Sequence, residues 1–556
     1  MTQLTIQESF DLALQHHQSG RLREAEQLYR AILAQEPQHA DTWYLLGLLA
    51  HQVGRDDAAL DCFRRAVAAN PNHAAAFSDL GNALSGKREF DEAIAAYRRA
   101  IILRPDFAEA YNNLGSALKE NGQLDEAIAA YRRAVAINPD YLGAHSNLLL
   151  TMNYHVDDDA QAVAEELREW NRRHAQGLKT SIAPHSNDCN PDRRLRVGYV
   201  SGDFYAHASA NFLLPLLKNH DPQQVEVFCY TTVSRPDAMT AQLQQYAGVW
   251  RSIVELSDEQ AARQIREDKI DILVDLKLHT DENRLLIFAR KPAPVQATWL
   301  GYPGSTGLET IDYRLSDPYL DPPGMDESVY SERTMRLPDT FWCYDPVDCA
   351  DVSVSALPAQ QNGFVTYGCL NTVSKLNDAV LALWAQVLNR VENSRLHLLI
   401  PQGSSRQRTL ETLRREGIAP SRVDFLPRQS HRAYLQYYHQ IDIGLDSLPC
   451  NGHTTSLDSF WMGVPVVTRV GNMAVSRAGW CQLSNLKLTA LAAQTSDEFV
   501  EIAVSLARDL PRLSELRRTL RERMQQSPLM DAPKFARNIE AAYRQMWRAW
   551  CENVAR

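Results

Sequence analysis

The sequence lacks the short patterns that would assign it at once to several common classes. Its nine cysteines, from Cys62 to Cys551, include no C-x-x-C pair and no metal-ligand spacing, which favours reduced, structural thiols. No G-x-G-x-x-G follows the first predicted strand and no G-x-x-x-x-G-K-S/T occurs, so a classical dinucleotide dehydrogenase or P-loop NTPase is disfavoured. No D-x-D lies at a strand end. We therefore expect no metal and no cofactor.

Long apolar runs and an excess of basic residues are also missing. No apolar run approaches 18 residues, and the N-terminus MTQLTIQESFDLALQHHQSG has neither the basic start nor the apolar core of a signal peptide. The formal net charge of -10 argues against nucleic acid or an anionic membrane as a partner, since both need a basic surface. With 556 residues, 45% of them hydrophobic, the chain should form several domains with large cores. We expect a soluble, cytoplasmic protein.

A repeat of 34 residues occupies the first quarter of the chain. Its landmarks are prolines 34 residues apart, Pro37, Pro71, Pro105 and Pro139, each preceded eight residues earlier by an aromatic, Tyr29, Phe63, Tyr97 and Tyr131. Each unit is interpreted as two amphipathic helices, because proline cannot continue a helix interior. About four units over residues 5–140, with connecting helix to residue 178, predict a superhelix over 1–178 whose concave face binds other proteins. The alternative is a helical scaffold whose groove binds nothing in particular.

After residue 178 the pattern changes to short apolar runs that alternate with helical segments. The predicted strands are Leu195–Val200, Val225–Tyr230, Asp271–Asp275, Val295–Trp299, Gly363–Tyr367, Leu396–Ile400, Arg422–Leu426, Ile441–Leu445 and Pro465–Thr468. Continuous apolar strands are typical of parallel sheets covered by helices on both faces. We predict two doubly wound α/β domains, 179–348 and 363–556, joined by a linker over 349–362, with ligands at the carboxyl ends of the strands. The last helix should pack across the pair.

The segment CNGHTTSLDSFWMGVPVVT, residues 450–468, has the composition of an anion site. It places a glycine, a histidine and two threonines where a loop enters a helix: Gly452, His453, Thr454 and Thr455. The unpaired amides and the dipole of such a helix start attract a diphosphate, and Asp458, one turn later, could accept hydrogen bonds from ribose hydroxyls. An ordinary helix cap needs the same residue types, so both interpretations stay open at this point.

An acidic tract, Val156–Asp159, invites a metal assignment but has no partner ligands at a suggestive spacing. A solvated turn or a helix N-cap explains it better.

Four segments together resemble one known family. LRVGYVSGDFYAHA (195–208), KPAPVQATWLGYPGSTG (291–307), CLNTVSKLN (369–377) and the 450–468 segment resemble, in the same order, the catalytic region of the O-GlcNAc transferases, glycosyltransferase family 41. The 34-residue units resemble tetratricopeptide repeats. The resemblance implies a GT-B fold and inverting, metal-independent transfer of N-acetylglucosamine from UDP-GlcNAc to Ser/Thr hydroxyls of proteins. The long insertion between the catalytic halves of the animal enzymes is replaced here by the short linker.

The resemblance also implies roles for two residues near the reacting groups. Lys375 matches the lysine that contacts the donor diphosphate and neutralises charge on the leaving group, which requires a cation that acts more strongly in the transition state. His207 matches a histidine that was proposed as general base and is otherwise held to orient the acceptor or the sugar. From the residues alone, a solvated surface side chain is the commoner explanation of each.

The same resemblance assigns the donor site. His453, Thr454, Thr455 and Asp458, with Gly452, match the phosphate and ribose contacts, and Leu300, Gly301, Tyr302 and Pro303 match the loop beside the sugar. Three positions depart from the family pattern. Tyr434 takes the place of the uracil-stacking histidine, His431 that of a nearby lysine, and Thr372 that of a donor-contacting glutamine. A tyrosine can still supply a flat stacking surface for a base.

On the acceptor side, the resemblance implies a contact with the target polypeptide along the repeats. Asn113 and Asn147 match rungs of the asparagine ladder that holds the target backbone in this family, whereas Asp79 and Leu45 fill the earlier rungs, so we expect a short ladder. His279 resembles a histidine of the related plant protein O-fucosyltransferases. It would either line the acceptor side or cap a strand end.

Two other functions remain possible from the sequence. Segments such as DKIDILVDL, GFVTYG and RVDFLP resemble the plant branch, which would make the chain a protein O-fucosyltransferase that uses GDP-fucose. The third possibility is a repeat-protein adaptor whose transferase half is inactive.

Overall fold

The computed structural model describes residues 4–155 and 159–554. The chain divides into two compact units, Met1–Leu148 and Leu149–Arg556. Most of the acidic tract, residues 156–158, lies outside the described residues. Asp159 is described, and its carboxylate caps the following helix by accepting hydrogen bonds from the backbone N–H groups of Gln161 and Ala162, both at 3.0 Å. The predicted N-cap is therefore confirmed for this residue.

The first unit consists of helices that pack in consecutive pairs, α1 on α2, α3 on α4, α5 on α6 and α7 on α8. Their bounds are α1 (Ile6–Gln18), α2 (Leu22–Gln35), α3 (Ala40–Gln52), α4 (Asp56–Ala69), α5 (Ala74–Gly86), α6 (Phe90–Leu103), α7 (Ala108–Glu120), α8 (Leu124–Ile137) and α9 (Leu142–Met152), the last of which continues into the second unit. The predicted helical repeat is confirmed.

A close contact recurs in three of the four helix pairs, those that begin with α3, α5 and α7. A glycine on the first helix lies against the buried aromatic ring of the second, as Gly81 lies against Tyr97 and Gly115 against Tyr131. A Cβ atom on Gly81 would come within 2.5 Å of the Tyr97 ring, and one on Gly115 within 2.7 Å of the Tyr131 ring. Both contacts are shorter than packed atoms tolerate, so only glycine lets the two helices approach this closely.

The second unit begins with α10 (Ala160–Trp170), a π-helical turn (Asn171–Ala175) and a 3₁₀ helix (Gln176–Ser181). The first sheet follows, with strands β1 (Leu195–Ser201), β2 (Val225–Thr231), β3 (Val249–Ser252), β4 (Ile272–Asp275), β5 (Val295–Thr298), β6 (Tyr313–Ser316) and β7 (Arg333–Arg336). Its helices are α11 (Ala210–Asn219), α12 (Ala238–Gln244), α13 (Asp258–Glu267) and α14 (Leu285–Ala289). The strands are parallel and lie in the order β3-β2-β1-β4-β5-β6-β7.

A second parallel sheet follows, in the order β10-β9-β8-β11-β12-β13. Its strands are β8 (Val365–Cys369), β9 (Ser394–Leu398), β10 (Val423–Phe425), β11 (Ile443–Leu445), β12 (Val466–Arg469) and β13 (Ala492–Ala493). The helices are α15 (Pro358–Asn362), α16 (Asp378–Arg390), α17 (Ser404–Arg415), α18 (His431–Tyr437), α19 (Thr454–Trp461), α20 (Ala478–Asn485), α21 (Ser496–Arg508), α22 (Leu510–Gln525) and α23 (Ala532–Val554). Two doubly wound α/β halves are thus confirmed.

The last helix, α23, packs on α11 of the first half. Its Tyr543 hydroxyl lies 3.2 Å from that of Tyr199 on β1, and both rings are buried. The aromatic residues Phe535, Tyr543 and Trp547 of this helix are buried and belong to the core. Among the described residues, no helix has both the length and the apolar character needed to cross a membrane.

Two sequence predictions about the fold need correction. The boundary expected at residue 178 lies at Leu148, because α10 packs into the second unit. Its Trp170 is fully buried with its ring 5.0 Å from that of His279, and Leu167 lies against Gly307. The nine predicted strands are present within a few residues, but β3, β6, β7 and β13 were not predicted. β3 and β7 are edge strands whose polar side chains are partly exposed, so they lack the apolar run that marks a central strand.

Candidate active site

The predicted motifs meet where the strand order of each sheet reverses. In the first sheet this point lies between β1 and β4, and in the second between β8 and β11. The loops that leave these strands are 202–209 and 276–284 in the first half, and 370–377 and 446–453 in the second. Open α/β sheets bind ligands at this position.

Asp446 anchors the loop between β11 and α19. Its Oδ1 accepts a hydrogen bond from the Gly452 N–H at 2.7 Å, and its Oδ2 accepts one from the Thr468 hydroxyl at the same distance. The carboxylate is buried, and burial raises its pKa to about 6. A Cβ on Gly452 would lie 2.3 Å from the Ser456 hydroxyl. The tight loop therefore requires glycine at this position.

The amino end of α19 is not closed by a side chain. Its N-cap residue is His453, and the His453 side chain makes no capping hydrogen bond. Thr454 and Thr455 are the first residues of the helix. The N-cap residue therefore leaves the first-turn amides and the positive end of the helix dipole without a capping side chain, unlike an ordinary capped helix.

The ring of His453 lies in the wall beside this helix end, 5.2 Å from the ring of Trp342. Its Nε2 is buried and has no hydrogen-bond partner within the described chain. Burial, assisted by the positive charge of Lys375, holds the pKa of His453 well below its usual range. The imidazole is therefore neutral, and its unpaired nitrogen is one of the buried polar atoms that a ligand could satisfy.

Lys375 is brought to the same helix end from the other loop. It ends a short 3₁₀ turn, Val373–Lys375, and its Nζ donates a hydrogen bond to the Asn451 carbonyl oxygen at 2.7 Å. Thr372, which precedes this turn, is exposed and its hydroxyl lies 3.0 Å from that of Ser374. The ammonium group thus contacts the backbone at Asn451, three residues before the first residue of α19. Two sources of positive charge converge there.

Asp458 is buried one turn into α19 and is held by a residue that sequence reasoning missed. The Tyr344 hydroxyl donates a hydrogen bond to Asp458 Oδ1 at 2.7 Å. His431 Nε2 lies 3.8 Å from the same oxygen, and the Asp458 carboxylate raises the pKa of His431. Tyr344 belongs to the apolar run FWCY, so nothing in its local pattern indicated a polar role.

Tyr434 and His431 lie together on α18, as their predicted common role at a nucleobase requires. Their rings are stacked with centroids 6.2 Å apart and an interplanar angle of 23°. The Tyr434 hydroxyl lies 3.0 Å from that of Tyr438, which in turn donates to the Thr455 carbonyl at 2.9 Å. The hydroxyl chain thus fixes the aromatic surface relative to the start of α19.

In the first half, the loops surround a cavity of about 320 Å³ lined by Asp203, Tyr205, His207, Ser209, Lys277, Thr280, Asp281, Glu282 and Gly301. Lys277 and Asp203 form a buried ion pair with Nζ and Oδ1 2.7 Å apart. Burial lowers the pKa of His207, an effect partly opposed by Asp203 and reinforced by Lys277. Lys277 was not among the predicted residues. The loop around Lys277 contains both apolar and polar residues, so the sequence gives no sign that this lysine is buried.

The loop expected beside the sugar borders this cavity through its backbone. A Cβ on Gly301 would lie 2.7 Å from the Lys277 carbonyl oxygen, so glycine is required for the contact. Leu300, Tyr302 and Pro303 are buried, and Leu300 has a φ of 82°. These three side chains therefore hold the loop in place, whereas Gly301 faces the cavity.

His279 is fully buried, with Nε2 2.9 Å from the Thr306 carbonyl oxygen and its ring against Trp170. A ring without exposed surface has no face for an acceptor. Of the two predicted roles, the structure supports the structural one, and the acceptor-side assignment is corrected.

In the first unit, Asn113 and Asn147 belong to a longer row of hydrogen-bonded polar side chains than the repeat period predicted. We call it the polar row: Tyr44, Asp79, Asn82, Asn112, Asn113 and Asn147. Asn113 donates from Nδ2 to Asn82 Oδ1 at 2.9 Å, and Asn82 in turn donates to Asp79 Oδ1 at 3.0 Å. Asn82 and Asn112 lie outside the phase of the predicted rungs, so a search at one repeat position missed them.

The polar row borders a cavity of about 380 Å³, whose lining includes Asn82, Tyr97 and Asn113. Among the described residues of the whole chain, no three His, Cys, Asp or Glu side chains are grouped so as to hold a metal ion.

Comparisons with known proteins agree with this geometry. The model of glycosyl transferase family 41 matches residues 152–351 and 353–539, and that of the tetratricopeptide repeat matches residues 10–74 and 78–141. A solved structure, the Thermobaculum terrenum O-GlcNAc transferase carrying a lysine-to-methionine substitution, superposes with a TM-score of 0.86 at 35% identity. The alignment covers 93% of this chain and 98% of that one.

Several curated relatives come from plants. A probable UDP-N-acetylglucosamine–peptide N-acetylglucosaminyltransferase SPINDLY of Solanum lycopersicum is 41% identical over 73% of this chain and 44% of its own length. The probable transferase SEC of Arabidopsis thaliana is 31% identical over 65% of this chain and 38% of its own. The chain thus spans less than half the length of these curated relatives. Because the family model covers most of the sequence, this chain belongs to glycosyl transferase family 41.

Proposed function

We propose that the chain is an inverting glycosyltransferase that moves N-acetylglucosamine from UDP-GlcNAc to serine or threonine hydroxyls of proteins. One observation carries the proposal: the Lys375 ammonium, bonded to the Asn451 carbonyl at 2.7 Å, lies beside the uncapped amino end of α19. A nucleotide diphosphate is a compact dianion. A cation and a helix terminus at one point are the features that bind it.

The same two groups would supply the chemistry of the leaving group. In a single displacement the acceptor oxygen bonds to the anomeric carbon from the face opposite UDP, the carbon–oxygen bond to the β-phosphate breaks, and the hydroxyl proton passes to water. Negative charge grows on the diphosphate as that bond breaks, so Lys375 and the α19 amides stabilise the transition state more than the ground state. We propose that they take the place of a divalent ion, which makes the reaction metal-independent.

The remaining donor contacts follow from the groups around α19. The unpaired Nε2 of His453 accepts a hydrogen bond from a donor hydroxyl, because burial keeps the ring neutral. The Asp458 carboxylate, fixed by Tyr344, accepts from ribose hydroxyls. Tyr434 stacks on the base. His207 and Gly301 face the acceptor and the sugar from the cavity of the first half.

Protein acceptors would be held along the repeats. An asparagine amide offers both a donor and an acceptor, which matches the peptide backbone and is independent of side-chain sequence. Asn113 uses one amide hydrogen and one oxygen lone pair within the polar row. Its second amide hydrogen and its second lone pair are suited to the backbone of a polypeptide that lies along the row. The names of the plant relatives, which specify a peptide acceptor, support this substrate class.

One observation favours a second candidate, a protein O-fucosyltransferase that uses GDP-fucose. Tyr434 and His431 stand at the nucleobase position in place of the histidine and lysine expected for uracil, and their rings stack on one another. Stacking alone does not select between bases. Hydrogen bonds to the edge of the base would distinguish uracil from guanine.

Nucleotide preference tests the proposal directly. The full chain is heated with UDP, GDP or neither; binding stabilises only the folded state, by about 2.7 kcal/mol at 100 times the Kd. We expect a higher Tm with UDP and no change with GDP. Radiolabelled UDP-GlcNAc and GDP-fucose are then offered with a protein acceptor, and label transfer is expected from the first alone. Stabilisation by GDP with fucose transfer would establish the second candidate, and no response to either pair would leave a protein-binding adaptor.

A further inference from the structure

The proposed reaction makes no use of the buried lysine at the switch point of the first sheet. The Lys277 side chain is 8% exposed, and its ammonium donates to Asp203 Oδ1 at 2.7 Å. Its backbone is fixed as well, because the N–H groups of Lys277 and Leu278 both donate to the buried Asp275 carboxylate. A buried ion pair in a cavity wall is expensive to desolvate. Its position beside His207 suggests what it contributes.

The contacts of His207 define which of its nitrogens carries the proton. The Ser209 backbone N–H donates to His207 Nδ1 at 3.3 Å, and the Ser209 hydroxyl lies 3.0 Å from the same atom. A backbone N–H can only donate, so Nδ1 must be the acceptor. A neutral ring in this position therefore carries its proton on Nε2.

Asp203 could reverse that state. Its second oxygen, Oδ2, lies 3.6 Å from His207 Nδ1, which is too far for a hydrogen bond but close enough for a strong charge interaction. A carboxylate at that distance favours a protonated, positively charged ring, with a second proton on Nδ1. Lys277 competes for the same carboxylate at the shorter distance.

We propose that Lys277 is a positioning residue for His207: by holding Asp203 in a buried ion pair, it keeps the imidazole neutral with its proton on Nε2. In the proposed transfer reaction, on which this functional step rests, His207 then donates a hydrogen bond from Nε2 to a substrate oxygen. It does not remove the acceptor proton through that nitrogen.

The charges around His207 agree with this assignment. The ionisable groups on the elements that face it are Asp203 and Tyr205 on its own loop, Lys277, Asp281 and Glu282 on the loop after β4, and Asp237 at the start of α12, whose Oδ2 accepts from the Ala206 N–H. Asp203 is the nearest carboxylate to the ring. Burial lowers the pKa of His207, and Lys277 acts in the same direction against Asp203.

The test measures the ring itself and needs no substrate. The full chain is labelled with ¹⁵N-histidine, the His207 signals are identified by their loss in His207→Gln, and their shifts are followed with pH. In the wild type we expect a neutral Nε2–H tautomer and a pKa below the ordinary value of about 6.5. In Lys277→Met the pKa should rise by about 1 and both nitrogens should be protonated at mildly acidic pH, because Asp203 loses its partner.

Three further variants control for folding and for charge. Lys277→Arg keeps the cation and should keep the wild-type tautomer. Lys277→Gln can still bond Asp203 without charge and should move the pKa of His207 in the same direction as Met, by less. The double variant Lys277→Met with Asp203→Asn removes both buried charges, so its pKa should return toward that of the wild type. An unchanged His207 in Lys277→Met or Lys277→Gln, or a pKa that remains raised in the double variant, would overturn the proposal.

Measurements of sugar-transfer activity form a separate part of the experiment. If the chain transfers sugar, Lys277→Met should lower kcat more than it raises KM, and raising the pH should restore part of kcat as His207 loses its second proton. If no donor supports transfer, the proposed function fails, while the tautomer and pKa of His207 still decide the role of Lys277.

Discussion

The two α/β halves of the second unit share one loop anchor and use it differently. In each, an aspartate beside the switch point accepts a hydrogen bond from a threonine of the next strand. Asp275, the last residue of β4, accepts from Thr298 of β5, and Asp446, directly after β11, accepts from Thr468 of β12. Burial raises the pKa of both carboxyls to about 6. Both also accept backbone N–H groups of the loop that follows. The fold thus provides the same support twice.

What each anchored loop presents is different. In the second half it leads to the uncapped start of α19 with Lys375 beside it, and among the described residues no carboxylate forms an ion pair with that lysine. In the first half it carries Lys277, whose ammonium forms an ion pair with Asp203 on the loop that also holds His207. In the proposed reaction, the second half would hold the anionic leaving group and the first half the neutral hydroxyls.

The largest effect on turnover should come from removing the Lys375 ammonium. Lys375→Met is expected to lower kcat by about 10²–10³-fold, as the loss of one group that stabilises transition-state charge does, without a change in Tm. Lys218→Met, at an exposed lysine near the end of α11, is the matched control and should keep full activity. Wild-type turnover in Lys375→Met would remove Lys375 from the mechanism.

The second largest effect should come from replacing one of the two aspartates that anchor the loops, Asp446 or Asp275. Asp446→Asn leaves the Gly452 N–H or the Thr468 hydroxyl without a charged acceptor, and should weaken UDP binding by about tenfold, corresponding to roughly 1.4 kcal/mol. Asp275→Asn should leave the Kd for UDP unchanged, because its loop lies in the other half. Isothermal titration of both variants checks this. Equal losses in the two variants would mean that the halves do not divide the substrates.

A smaller effect is expected in the first unit. Asn113→Ala removes a central member of the polar row and should raise KM for a protein acceptor by about fivefold, equivalent to about 1 kcal/mol for a lost hydrogen bond, with an unchanged Kd for UDP. Arg132→Ala, at an exposed residue of α8, serves as the control. An unaltered KM in Asn113→Ala would place the acceptor elsewhere.

The smallest effect concerns pH. Because Asp458 raises the pKa of His431, the charged pair stabilises the fold fully below the ordinary pKa of about 6.5 and is lost as the pH rises through the raised value. The Tm advantage of the wild type over His431→Gln should therefore shrink from about pH 6 to pH 8. Thermal melts across that range test it. A constant difference would show that the ring acts by packing alone.

Much of the fold was predictable because its signals are local. Each repeat brings its own aromatic and proline, and neighbouring helices pair, so the period alone indicated the superhelix. Central strands such as β1 are apolar runs buried on both faces. β7, with the sequence RTMR at a sheet edge, carries no such run and was missed. An edge strand forms by pairing with its neighbouring strand, and its own residues carry no signal for that pairing.

The residues of the candidate site likewise fall into those that the sequence indicated and those that it did not. Lys375, His453 and Asp458 lie in motifs that identified them, whereas Tyr344 acts on Asp458 across more than a hundred residues of sequence. Lys277 has no motif, and only its burial against Asp203 distinguishes it from a surface lysine. His279 shows the converse, since a family likeness indicated an acceptor contact and the structure buries the ring.

The sequence by itself determined the helical repeats, the central strands and the order of the motifs, because periodicity and apolar runs act over a few neighbouring residues. Only the tertiary structure decided which carboxylate meets which cation, which helix end stays uncapped and which histidine is buried. Those outcomes depend on desolvation and on distances between atoms that are remote in the chain, and both are set when the sheets and helices pack.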